Sequence, residues 1–326
     1  MTANWKIHLR EAITDPAELL QILELPHDAL ASMQEALKHF PLRVPRHFVA
    51  RMQKGNPQDP LLLQVLPSGA ENLEVADFVI DPLGEQAANL LPGLLHKYQG
   101  RALLITHGQC AVQCRYCFRR NFSYEAQQPG VQTWQKALDY IAGDPSIHEI
   151  ILSGGDPLTL TDHSLHVLLE CIQALPQLQT LRIHTRIPIV LPERIDAGFL
   201  NLFQDLPLHK VMVIHANHAQ ELDQSVHKAL QDLKALGFHL LNQAVLLKGI
   251  NDTLPAQLDL QKKLFAYGVL PYYLHLLDRA KGTAHFEVEH AYAHNLVQQM
   301  RQNLPGYLVP RLARETAGEG AKTILI

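Results

Sequence analysis

Ala102-Leu-Leu-Ile-Thr-His-Gly-Gln-Cys110-Ala-Val-Gln-Cys114-Arg-Tyr-Cys117-Phe-Arg-Arg120 joins a short apolar run to three closely spaced cysteines. Ala102–Thr106 reads as a buried strand, because brief apolar runs are the mark of strands covered on both faces. Three thiolates at C-x3-C-x2-C spacing can hold three irons of a four-iron cluster and leave the fourth open to a ligand. A closed zinc site wants four protein ligands. The remaining cysteine, Cys171, falls in helical spacing with Leu165, Leu168, Leu169, Ile172 and Leu175, so it reads as packing.

Outward from this stretch, β-rich runs alternate with amphipathic segments. Ala102–Thr106, His148–Ser153, Thr180–Thr185, Lys210–His215, His239–Val245 and Val269–His275 read as strands. Trp134–Gly143, Ser164–Leu175, Ile195–Leu206, Gln220–Leu236 and Leu254–Tyr267 carry the i, i+3, i+4 apolar spacing of helices. Such alternation implies parallel strands with crossovers, and six units fit an α/β open, partial (β/α)6 barrel. Residues 1–95 read as a helical cap, with apolar spacing in Pro16–Leu25 and His27–Phe40. Residues 96–278 then form the barrel, and 279–326 a C-terminal segment.

Parallel barrels place chemistry at the C-terminal ends of their strands. The cysteines, Ser153-Gly154-Gly155-Asp156, His184-Thr185-Arg186, His215-Ala216-Asn217, Asn242-Gln243 and Asp278 all fall at such ends. The 326 residues carry a formal charge of −4, which offers no basic field for nucleic acid or an anionic membrane. No apolar run is long enough for a membrane span or a secretory signal, so a cytoplasmic protein working on a small molecule is expected. Clustered cysteines in that compartment point to metal or redox chemistry.

The cysteine run, with Tyr116 before its last member, resembles the radical S-adenosylmethionine (SAM) signature. Cys110–Arg120, Ser153–Leu158 (SGGDPL), His184–Pro192 (HTRIPIVLP), Asn242–Asp252 (NQAVLLKGIND), Pro271–Asp278 (PYYLHLLD) and Gly318–Lys322 (GEGAK) together resemble the radical-SAM lysine 2,3-aminomutases. The likeness is greatest to the shorter bacterial EpmB branch, which supplies β-lysine for elongation factor P. The resemblance implies an isomerase with a [4Fe-4S] cluster on Cys110, Cys114 and Cys117. It also implies SAM at Ser153, Gly154, Gly155, Asp156, His215 and Gln243. Pyridoxal 5′-phosphate (PLP) would be carried by Lys322, with its phosphate at Lys97, Tyr98 and Arg101.

For the substrate, L-lysine, the resemblance implies that Arg119 holds the carboxylate and that Asp278 with Glu315 holds the distal ammonium. Glu315 stands where the family usually has aspartate. The chain lacks the C-terminal zinc-binding segment of the clostridial-type enzymes, so their assembly mode does not carry over and homo-oligomerisation stays open. An external electron donor and a separate ligase for elongation factor P are implied partners, and the (R) product is implied. Two other readings compete: an aminomutase for another amino acid such as glutamate, and a non-catalytic zinc-stabilised binding module.

Overall fold

The computed structural model describes residues 4–85, 88–124, 127 and 130–326. The chain begins with helices α1 (Asn4–Arg10), α2 (Pro16–Ile22), α3 (Leu30–His39) and α4 (Arg46–Val49). Pro16 in the first turn and the Asp15 carboxylate, which accepts from the Ala17 amide, start α2, as a preset φ and an N-cap acceptor should. Trp5, Leu19, Leu23 and Phe48 from this cap are buried in the same core as the sheet.

Among the described residues ten strands form one sheet in chain order: β1 (Asn89–Leu91), β2 (Leu94–Tyr98), β3 (Arg101–His107), β4 (Glu149–Gly154), β5 (Thr180–Thr185), β6 (His209–Ile214), β7 (His239–Val245), β8 (Leu270–His275), β9 (Arg311–Arg314) and β10 (Thr323–Ile324). The run from β3 to β9 is parallel. β1–β2–β3 and β9–β10 pair antiparallel. β3 to β8 are the six expected strands, so the partial β/α barrel stands. Ile150 and Leu152 in β4, and Leu181 and Ile183 in β5, are fully buried, each contributing roughly 1.5–3 kcal/mol of apolar burial.

Helices α5 (Val131–Ala142), α6 (Asp162–Gln173), α7 (Ile187–Val190), α8 (Ala197–Asn201), α9 (Gln224–Ala235) and α10 (Leu254–Ala266) fill the crossovers, and α11 (His290–Asn303) leads to β9. Thr161, Asp223 and Thr253 cap α6, α9 and α10 through their side-chain oxygens. Cys171 packs against the core from α6, as its spacing predicts. The helix expected over Ile195–Leu206 shrinks to α8, with Phe199 inside it and Phe203 in the turn beyond it both fully buried. Sequence patterning does not reveal β9: Arg311-Leu312-Ala313-Arg314 carries little strand propensity and forms by pairing with the edge of β8. β9 and β10 give the C-terminal segment a place in the sheet.

Candidate active site

The cysteine loop leaves the C-terminal end of β3 and is fixed by the arginines interleaved with its thiols. Arg115, fully buried, donates to Glu71 through Nε (2.9 Å) and Nη2 and to the Phe40 carbonyl (2.7 Å). Arg120 reaches the same Glu71 carboxylate at 2.6 Å. Asn217 donates to the Tyr116 hydroxyl at 2.8 Å. Burial, then the neighbouring Cys114, pushes the Cys117 thiol up to about 12, and burial raises the Cys110 thiol well above its ordinary range, with Cys117, Asp156 and Cys114 adding to it. Such thiols ionise when a metal takes the place of the proton.

β4 delivers Ser153 and Gly154. A Cβ on Gly155 would lie 2.4 Å from the Gln109 carbonyl oxygen, and one on Gly154, at φ +123°, would lie 2.5 Å from that of His107. Glycine alone lets the cysteine loop lie against the end of β4. Asp156 is buried and accepts from the Thr185 hydroxyl (2.7 Å), the Arg186 amide (2.7 Å) and the Leu158 amide (3.1 Å). Burial nonetheless pushes its carboxyl up to about 6. Its oxygens thus also tie the end of β4 to β5. His215, just beyond β6, meets Gln243 on β7 at 2.8 Å. Burial holds it near 3 and so neutral, and its Nε2 then accepts from the amide of Gln243. His184 stands edge-on to His215 with a buried Nε2 that has no partner among the described residues.

The hairpin β9–β10 accounts for the ordered tail. Thr323 pairs with Arg314, so Lys322 and Glu315 form the next rung, where cross-strand side chains meet. Lys322 Nζ donates to Glu315 at 2.5 Å and Lys97 Nζ to the same carboxylate at 3.4 Å. Burial works to raise Glu315, but Lys322 and Lys97 outweigh it and hold it at about 2. Arg101 lies over the Tyr98 ring at 4.6 Å. Burial, then Glu315, keeps the Tyr98 phenol protonated far above its ordinary range. In this state Glu315 is the counter-charge of Lys322, a pairing that the sequence reading does not contain.

Arg119 is equally engaged. It clasps Glu85 through Nε (2.7 Å) and Nη2 (2.6 Å), and its Nη1 donates to Ser153 Oγ and the Gly154 carbonyl, both at 3.1 Å. Glu85 lies within the 1–95 cap and carries no motif of its own, which is why the sequence reading misses it. Glu85→Ala would leave a buried guanidinium uncompensated. The expected loss of stability in the cofactor-free chain is about 3–5 kcal/mol, read by urea unfolding, with a smaller loss for Glu85→Gln. Asp278, beyond β8, has no such clasp among the described residues, and burial followed by Glu315 raises its carboxyl to about 7.

All sixteen residues singled out in the sequence line one cavity of about 460 Å³, from Lys97 and the cysteines to Lys322. His184, Arg186, Glu85, Tyr273 and His275 line it too. A family model described as a 4Fe-4S single cluster domain matches residues 99–184. The chain is 48% identical to the L-lysine 2,3-aminomutase of Haemophilus influenzae over 98% of this chain and 95% of that one. It is 47% identical to the enzyme of the same name from Escherichia coli, over 99% and 94%. The chain belongs to the lysine 2,3-aminomutase family. The aminomutase of Clostridium subterminale is 30% identical over 98% of this chain but 77% of its own length. A radical SAM methyltransferase structure from Sphaerobacter thermophilus overlaps 69% of this chain and 71% of its own, with 14% identity and a TM-score of 0.47.

The site suits the aminomutase cofactors. Three half-buried thiols on one loop are the donor set of a cluster with an open iron. Among the described residues no three His, Cys, Asp or Glu side chains are grouped to hold a single metal ion; a cluster presents separate irons to separate thiolates, so its ligands need not meet at one point. The unpartnered His184 Nε2 offers a hydrogen bond to a polar ligand, and Lys97, Tyr98 and Arg101 suit a phosphate dianion.

Proposed function

We propose that this chain is a cytoplasmic lysine 2,3-aminomutase that converts L-α-lysine to (R)-β-lysine, which a separate ligase then places on elongation factor P. Supporting this is one observation above others: residues far apart in sequence, suited to a cluster, a phosphate and a diamine, share one cavity. On this reading residues 1–95 act as a cap, 96–278 as the radical barrel and 279–326 as the PLP-bearing segment. Cys110, Cys114 and Cys117 would hold the [4Fe-4S] cluster. Ser153–Asp156, His215 and Gln243 would hold SAM, and Lys322, Lys97, Tyr98 and Arg101 would hold PLP. Bound there, the cluster with SAM supplies hydrogen-abstracting radical chemistry and PLP an electron sink for nitrogen migration. The chain's own residues fix substrate and cofactors in register and keep water out.

Arg119 would take the lysine carboxylate while Glu85 steadies the guanidinium from the other side. With PLP held by Lys322, Glu315 would lose that counter-charge and, with Asp278, would face the ε-ammonium of the substrate. A side-chain carboxylate, as in glutamate, would be repelled by the same pair.

Asp278 must be ionised to hold an ammonium. Its raised carboxyl adds stability to the ligand-free fold at low pH, fully below the unfolded value of about 3.9 and lost as pH rises through about 7. Lysine binding runs the other way. KM for lysine should fall as pH rises through about 7 and level off above it, and Asp278→Asn should flatten that profile. Asp278→Ala should lower kcat/KM for lysine roughly a hundredfold or more, the equivalent of losing a desolvated charged partner. The proposal is tested by anaerobic assay with lysine, ornithine, glutamate and alanine, with β-amino acids separated by chromatography. Preference for glutamate, or lysine turnover indifferent to Asp278→Ala, would remove lysine as the substrate.

A further inference from the structure

Arg186 follows β5 and points its guanidinium at the cysteine loop. Nη1 donates to Cys114 Sγ at 2.8 Å, while Nη2 donates to Gln64 (2.6 Å) and to Glu221 (3.0 Å). The side chain is 5% exposed and lies over the rings of Phe48 and Tyr116 at 5.3 and 5.7 Å. Its main chain is pinned as well, since its amide donates to Asp156. Glu221, fully buried, is held in turn by the amides of Asn217 and His218 and by Gln64. A cation thus touches one of the three thiols, and its partner carboxylate stands on the far side.

We propose that Arg186, held by Glu221, is a positioning residue that sets the reduction potential of the cluster through Cys114. This rests on the reading of Cys110, Cys114 and Cys117 as cluster ligands. Reduction adds one electron from an external reductant to the cluster and makes it more negative. A hydrogen-bond donor and a positive charge on a cluster sulfur favour the more negative form and raise the potential. Dry surroundings sharpen the effect, because charge is weakly screened there. Glu221 partly cancels the cation from farther away, so the two residues act with opposite signs. No bond in either residue is made or broken.

The anaerobically reconstituted full chain, without SAM, gives the test: iron content per chain, then the midpoint potential followed by EPR during stepwise reduction. Arg186→Gln should lower the midpoint, Arg186→Lys should place it between those two, and Glu221→Gln should raise it. A merely structural role predicts no such opposition of sign. Should Arg186→Gln fail to assemble four irons, Glu221→Gln and Arg186→Lys decide the matter. Midpoints equal to that of the unmodified protein in cluster-bearing variants would overturn the proposal. A chain that takes up no four-iron cluster even unmodified would instead remove the ligand reading beneath it, a distinguishable failure.

Discussion

Alanine at Cys110, Cys114 or Cys117 is expected to leave the reconstituted protein without its four-iron cluster and without turnover. Each thiolate would hold one iron, and no fourth cysteine stands by to replace it, since Cys171 lies on α6 against the core. The rest of the loop should survive the substitution. Arg115 and Arg120 bind Glu71, and Tyr116 binds Asn217, independently of the thiols. Cys171→Ser should keep both cluster and activity. Iron and sulfide analysis with EPR of the reduced protein checks this, and equal cluster loss in Cys171→Ser would overturn the three-ligand assignment.

Lys322→Ala is expected to abolish turnover by removing PLP while leaving the cluster and SAM binding intact. The separation follows from topology: Lys322 directly precedes β10, seven strands along the sheet from β3, which leads into the cysteines. Removal of Lys322 also strips Glu315 of its closest cation, leaving Lys97 at 3.4 Å. Glu315 should then no longer be held as low as about 2. Truncation before Gly318 removes β10 and should behave alike. The readouts are the visible absorbance of bound PLP and iron content on the same sample. Retained PLP absorbance with normal turnover would take Lys322 out of the site.

Much of this architecture is legible in the sequence because parallel strands covered on both faces advertise themselves as short apolar runs, as β3 and β4 do, while β5 and β8 show a weaker signal because their inward residues line the cavity. The cavity rim was legible for the same reason, since polar residues directly after such runs have one place to go. What the sequence hides are pairings between distant residues. Glu85 clasps Arg119 and Glu221 clasps Arg186 across 34 and 35 positions, and no local pattern marks either. β9 is hidden because its strand character comes from the exposed edge of β8. The Glu315–Lys322 rung is half legible: the glycines between them signal a turn, but that turn becomes a hairpin only once β9 exists. Asp156 is half legible as well: its position beside two glycines marks it for the cavity it lines, but does not reveal the three internal donors that also tie it between β4 and β5.

The central claim, that this cavity moves the α-nitrogen of lysine to the neighbouring carbon, is tested most directly with L-lysine labelled with 15N at the α-nitrogen and 13C at C3. The reconstituted protein is incubated anaerobically with SAM, PLP and dithionite, and the 13C spectrum is followed. The account predicts a new C3 resonance split by one-bond coupling to 15N, which grows as labelled lysine is consumed and is absent with Lys322→Ala. Unchanged lysine, or β-lysine whose C3 carries unlabelled nitrogen, would contradict it.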